Sequence, residues 1–467
     1  MNEVNNIFKF VVSEVDRIDA LMKADPKSVL GNIGLLGMIA KIEEDGFKGK
    51  TYHCGRTAWI QLYNLAKERI KNDSTLRDKC KTETFLRYLE DQIVRRLVEG
   101  REVATKEVAG EILKKSKANT LGRLENRVYL FPVYAIGLRT KTYFSLGSVK
   151  FTKPHIYFKK KENLLKKSIQ SSFDNRRKRV DQLAKQRPFD VTNDTEEEEI
   201  IERLFSSARD HYSEFPWIAE IKIENMEQDI AWKKGSEILN QTLNLLRLYI
   251  PSSDSHFIGL CNESHLFEKS GSFSIDNSGK LRPSISHKNV EPTLKEESLK
   301  IFKKPPRDLK GIMVLIKNFQ NQQPISVLDK RLLSALFWYG EAWKEDDPLP
   351  KIVKYTISLE CLAMTGEREG LTELLAERIS LICEKNLEKR INLFKLVKEI
   401  YSARSSAVHG AIDYNEKDLI SLNMDAQIVA YNAILKCGSL FQTFASAKDP
   451  TQDLKKYFQI KKLSSKS

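Results

Sequence analysis

The chain has 467 residues, 41% hydrophobic and 30% charged, a balance that excludes disordered and collagen-like classes and leaves room for two or three domains. Lys and Arg total 77 against 63 acids, and the formal net charge of +14 favours polyanionic partners, nucleic acid before anionic membrane surfaces. The six cysteines, at 54, 80, 261, 361, 383 and 437, are too scattered for a C-x-x-C metal knuckle and too few for a disulfide scaffold, so they read as reduced, mostly buried thiols.

The opening segment, MNEVNNIFKFVVSEVDRIDA, lacks the basic start of a secretory signal. The longest apolar-looking run, SVLGNIGLLGMIAKI, is interrupted by Asn32 and three glycines and falls short of the ~20 residues of a membrane span. The expectation is a cytoplasmic protein with no membrane partner. Residues 1–126 read as a helical N-terminal region, with AWIQLYNLAKERI and TFLRYLEDQIVRRLVEG showing apolar residues at three- and four-residue intervals. Gly31, Gly34 and Gly37 are spaced unlike a dinucleotide loop and follow no hydrophobic strand. His53-Cys54 has no further ligands at zinc spacing, so no metal or other cofactor is expected.

From Arg127 the composition turns aromatic and β-branched in VYLFPVYAIGL and KTYFSLGSVKF, which predicts strands and opens a mixed α/β region over 127–325. Residues 158–187 carry eleven Lys or Arg against three acids, a local charge of +8. Lys159, Lys160, Lys161, Arg176, Arg177, Lys178 and Arg179 are its candidate phosphate contacts, and a solvated helix and loop surface is the alternative. TEEEEIIERLFSSARDHY and WKKGSEILNQTLNLLRLYI predict helices, and the first turn of the former is acidic, as the helix dipole prefers. HFIGLCNESHLFEKSGSFSIDNSGKLRPSIS predicts short strands with a turn at Asn277-Ser278-Gly279. Gly279-Lys280 lacks the rest of a phosphate-binding loop. KKPPRDLK from Lys303 and the polar stretch from Gln320 to Pro324 read as loops.

Residues 326–448 predict an antiparallel bundle of helices at about 327–344, 350–364, 371–385, 388–409 and 423–446, followed by a loose basic tail over 449–467. The fold class expected for the whole chain is α+β, mostly helical. Trp338, Tyr339 and Trp343 fall at helical spacing and read as core.

The fourth bundle helix ends in R-S-S-A-V-H-G. Arg404 continues the apolar stripe of Leu393, Val397, Ile400 and Ala407, so it requires an anionic partner or ligand. Glu360, on a stripe with Val353, Ile357 and Met364, is a candidate partner in a purely structural pair. In the functional alternative Arg404 is an anion clamp and His409 an acid-base group, the two roles needed for attack of a ribose 2′-hydroxyl on the adjacent phosphorus. The two residues are five positions apart, about 140° around a helix. Unwinding at His409, or a cleft shared between two copies, closes that gap.

LFKLVKEIYSARSSAVHGA, preceded by YTISLECLAM and ERISLICEK, resembles the Apea-like branch of the HEPN superfamily, whose signature is Arg, four to six residues, then His at a helix end. Arg404, His409 and the following Gly410 match it, and Ser405 stands where catalytic members often carry Asn, Asp or His. Ser405 supplies a hydroxyl able to orient His409 or a phosphate, and Glu360 is the second supporting residue. The resemblance implies a metal-independent endoribonuclease that acts on RNA as a homodimer through its C-terminal bundle, often as a toxin or antiviral defence effector. The alternative is a non-catalytic dimerisation or nucleic-acid-binding module.

Overall fold

The computed structural model describes residues 2–26, 36–42, 48–135, 142–184, 194–249, 258–260, 269–275, 281–287, 307–409, 416–444 and 446–464, without the side chains of 48, 175–184, 194–197, 269–275, 281–287, 307–308 and 416. The chain is α+β and mostly helical, with fourteen α-helices and nine short strands among the described residues. It divides into two compact units: Met1–Tyr129 with Ser172–Val191 and Lys222–Gly235, and Leu130–Ser171 with Thr192–Ile221 and Ser236–Ser467.

The first unit is built on α1 (Asn2–Ala24), α2 (Arg56–Asn72), α3 (Thr82–Ile93) and α4 (Lys106–Leu121). Phe8, Val11, Leu62, Phe85, Leu89 and Ile112 supply its core. The helical expectation for 1–126 misses a hairpin of β1 (Leu36–Ile42) and β2 (Lys48–Gly55), paired antiparallel with Gly37 opposite Cys54 and Ile39 opposite Tyr52. A seven-residue apolar run does not declare its period, and only the burial of Ile39, Ala40 and Ile42 beside exposed Met38 shows strand packing. The buried Asp91 carboxylate holds this hairpin to α3. Its Oδ1 accepts from the Ile42 N–H at 2.8 Å and the Arg95 Nε–H at 2.8 Å. Immediately beyond, Val94–Glu99 forms a π-helical turn.

In the second unit, β3 (Glu125–Tyr134), β4 (Tyr143–Leu146), β5 (Val149–Thr152), β6 (Trp217–Met226) and β7 (Gly259–Leu260) form a sheet in the order β4-β5-β6-β3-β7, with β3 and β6 crossing the unit boundary. β4/β5, β5/β6 and β3/β7 are antiparallel. The β4–β5 turn places Gly147 at φ 61°, where a Cβ would collide with the Gln320 amide. That buried amide accepts from the Ser148 N–H at 2.9 Å and donates to the Leu146 carbonyl at 3.1 Å and the Thr242 hydroxyl at 2.9 Å. The strand at β6 was not anticipated, although Ile221, Lys222, Ile223 and Glu224 alternate in and out. β8 (Lys269–Ile275) and β9 (Leu281–His287) pair antiparallel as expected, and the turn at 277–279 lies outside the described residues.

The basic segment lies in one long helix, α5 (Pro154–Ala184), and α6 (Asp194–Ser213) matches the helical reading of the acidic start. Around them Phe158 and Phe205 meet edge to face at 5.8 Å. The bundle itself comprises α9 (Val327–Trp343), α10 (Pro348–Ala363), α11 (Leu371–Cys383), α12 (Leu387–His409) and α13 (Glu416–Leu440), packed with α7 (Gln228–Tyr249) and α8 (Arg307–Gln320). Local chemistry sets its starts. Ser326 and Asp329 cap α9 reciprocally, and Asp347 accepts from the Leu349 N–H at 2.9 Å with Pro348 as the first helical residue of α10. The loop expectation at Lys303–Lys310 gives way to α8 from Arg307, which crosses α13 so closely that a Cβ on Gly311 would strike the Gly438 carbonyl.

The tail is not loose over residues 450–464. Pro450–Ser464 form α14, which buries Leu454 and Phe458 against the bundle. Arg378 lies over the Phe458 ring at 5.1 Å and donates to both Glu367 carboxylate oxygens, at 3.1 and 2.9 Å, while Lys462 pairs with Glu377 at 2.6 Å. Apolar residues three to four apart make one buried face of a segment whose basic composition suggested only solvation.

Candidate active site

α12 runs as one helix through His409. Val397, Ile400 and Ala403 are buried against the neighbouring helices, and Arg404 sits at the edge of this stripe, half-buried. On α10 the buried face is Ile352, Tyr355, Thr356, Leu359 and Leu362. Glu360 lies with Val353 and Ile357 on the flank beside it, not at its centre. The Arg404 Nη2 and Glu360 Oε1 are consequently 4.0 Å apart with each side chain 26% exposed. This is a water-accessible ion pair beyond hydrogen-bond distance, rather than the fully buried pair that stripe position alone suggested.

Two features make Arg404 more than one half of that pair. Its Nε is buried and has no hydrogen-bond partner among the described residues, which leaves an N–H donor aimed at no acceptor. Its guanidinium also lies 5.6 Å from the centre of the Tyr401 ring, one turn earlier on the helix. Spacing did not single out Tyr401, although its i,i+3 relation to Arg404 is the available signal. Burial pushes the Glu360 carboxyl above its ordinary value, and the Arg404 charge offsets only part of that rise.

His409 is exposed in the last turn of α12, where a cation is favoured by the helix dipole. Ser405 is half-buried next to Arg404. With the helix intact, five residues turn the His409 position about 140° from that of Arg404 around α12. Exposed Ile420, Met424 and Ile428 form a stripe at four-residue intervals on the outer side of α13, the helix packed against α12. Val408 is also exposed, beside His409.

The basic segment is only partly available. Lys159 and Lys160 are exposed and Lys161 is half-buried, but Lys166 is occupied by Glu162 at 2.8 Å and Glu202 at 2.6 Å. Arg176, Arg177, Lys178 and Arg179 belong to the same helix, with side chains outside the described residues. Among the described residues no group of three or more His, Cys, Asp or Glu side chains is placed to hold a metal ion, and no helix is long and apolar enough to cross a membrane. The Cys54 thiol next to His53 is pushed up to about 12, by burial first and by the nearby Glu90 and Glu14 charges second, which leaves it a poor nucleophile at neutral pH. Comparison with family models, curated proteins and solved structures finds no significant match to this chain.

Proposed function

We propose that the C-terminal bundle is an RNA-cleaving module whose reaction centre is completed by a second copy of the chain. The observation that carries the reading is Arg404: half-exposed, only 4.0 Å from a carboxylate that does not hydrogen-bond it, and with an unpartnered buried Nε–H, on the same helix as an exposed imidazole. In the reaction His409 accepts the proton of a ribose 2′-hydroxyl, whose oxygen attacks the adjacent phosphorus. Arg404 stabilises the charge gathering on the equatorial oxygens, the leaving 5′-oxygen takes a proton from solvent water, and His409 returns its proton to solvent, ending the step as a 2′,3′-cyclic phosphate and a free 5′-hydroxyl. The apolar stripe on α13 offers a face for the symmetric contact that lets Arg404 of one copy meet His409 of the other.

The experiment is cleavage of single-stranded RNA by the purified chain in EDTA, with end-group analysis for cyclic phosphate. Arg404→Ala and His409→Ala each lose activity alone. Mixed, unfolded and refolded together, they recover about a quarter of the wild-type rate, because half of the dimers are heterodimers and each holds one intact composite site. Two inactive variants that stay inactive when mixed place Arg and His within one chain, and variants as active as wild type remove the site altogether. The toxin or defence role is tested by expression that is harmful for wild type and harmless for His409→Ala.

The second reading, a non-catalytic dimerisation or nucleic-acid-binding module with Arg404 structural, is favoured by the Arg404–Glu360 pair itself. It predicts nucleic-acid affinity that falls steeply with salt through Lys159 and Lys160, with no cleavage.

A further inference from the structure

The first unit contains a cleft of about 620 Å³ lined by Gly37 and Met38 of β1, Arg56 and Trp59 of α2, and Arg87 and Glu90 of α3, a volume in the range of small-ligand sites. Two cross-helix contacts set its geometry: the Trp59 indole N–H donates to Glu90 Oε1 at 3.2 Å, and the Tyr63 hydroxyl meets Glu83 Oε1 at 3.4 Å. Residue numbers rise along α2 as they fall along α3, so the two helices run antiparallel here. Arg87 therefore lies along the groove between these contacts, and Arg56 one helical turn beyond Trp59. A Cβ on Gly37 would collide with Trp59, so the strand backbone lies directly against that side chain. Tyr63 stacks on the indole at 5.6 Å and 25°.

The chemistry assembled is an aromatic surface, a carboxylate in a residue only 6% exposed and already oriented by an indole N–H, and two arginines in the cleft lining. We propose that this cleft binds a guanine nucleotide, the base lying against Trp59 with its edge on Glu90 and the phosphates on an arginine. A guanine ring presents two parallel N–H donors that one carboxylate accepts together, whereas adenine places an acceptor at the first of those positions and is repelled. A ring on an indole and phosphate oxygens on guanidinium complete the match. Arg87 and Glu90 are engaged within the free chain, so the ligand shares these groups with their protein partners. Exposed Arg56, at the first residue of α2, is the readier phosphate contact.

The test is isothermal titration calorimetry of the full chain with GTP, ATP and guanosine, on wild type, Arg56→Ala and Glu90→Gln, each checked for folding by circular dichroism. The expected result is saturable GTP binding, with ATP about tenfold or more weaker and guanosine weaker than GTP for want of phosphates. Arg56→Ala weakens GTP by about fivefold or more, and Glu90→Gln narrows the preference for GTP over ATP. Arg56 is at the surface, so its variant reads out even where Glu90→Gln fails to fold. No saturable GTP binding to the folded wild-type chain, equal affinity for GTP and ATP, or binding untouched by Arg56→Ala overturns the proposal.

Discussion

Replacing Arg404 by Ala separates a clamp from a structural ion. At 4.0 Å and an effective dielectric constant near 20, the pair with Glu360 has a gross attraction of about 4 kcal/mol. Both side chains are 26% exposed, so water already offsets much of that. Exposed pairs contribute about 0–1 kcal/mol, and breaking fully buried ones costs about 3–5. A half-exposed pair beyond hydrogen-bond distance belongs low in that range, at about 1–2 kcal/mol, including the lost contact with Tyr401. With roughly 2–4 °C per kcal/mol for a domain of this size class, the melting point falls by about 2–8 °C. The cleavage rate is expected to fall much further, by about 10²–10³, the usual cost of removing one preorganised donor to a charge that develops in the transition state. The assay is a melting curve beside a single-turnover RNA cleavage time course, with Glu360→Gln as control. That control breaks the same ion pair, keeps the guanidinium, and should cut at close to the wild-type rate. An Arg404→Ala chain that melts lower and still cuts normally refutes the clamp, and a Glu360→Gln chain as inactive as Arg404→Ala shows that the pair, not the cation, is what matters.

Glu360 also predicts a pH effect. Its carboxyl is raised in the fold, so the native state binds that proton more tightly than the unfolded chain, and the contribution to stability falls as pH rises from the ordinary value of 4.5 through the folded value. Glu360→Gln should therefore gain stability relative to wild type as pH rises from 4.5 through the folded value, and a urea midpoint difference that does not change with pH contradicts the burial argument. Glu367 behaves oppositely. Burial alone would raise its carboxyl, but Arg378, Thr365 and backbone N–H groups together hold it well below the carboxylate range, so its contribution is present at neutral pH and lost as pH falls through the folded value. Glu367→Gln should cost about 2–4 kcal/mol at pH 7, since Arg378 has only 9% of its side chain exposed, and amide exchange should show α14 released first. Met424→Glu should leave the unfolding free energy of an isolated chain within about 0.5 kcal/mol of wild type, because the residue is exposed. In light scattering it should shift any dimer to monomer and abolish cleavage with it, and an unchanged dimer sends the interface elsewhere.

Most of the bundle was legible because its helices are long enough for their period to be counted and their starts carry explicit chemistry, as Ser326 with Asp329 and Asp347 with Pro348 illustrate. The hairpin at Leu36–Gly55 and the strand at Trp217–Met226 escaped because short apolar runs fit either period, and the partner that decides between them lies far along the chain. α14 escaped for another reason: counting its lysines describes the face in water and says nothing of Leu454 and Phe458 beneath. The same limitation governs the candidate site. A stripe on a helical wheel places Arg404 and Glu360 on faces that meet, and they do meet, but it does not say whether those faces are the centre of the core or its margin. That distinction decides the chemistry. At the centre, an Arg–Glu pair has no room for a substrate and no reason to lack a hydrogen bond. At the margin, where Val353 and Ile357 are also half-buried, the pair stays open at 4.0 Å and the Nε–H remains unsatisfied. The five-residue spacing that first separates Arg404 from His409 then becomes a constraint on assembly. A helix that is continuous through His409 turns the two residues about 140° apart on one chain, which is why the proposed reaction centre is drawn from two chains.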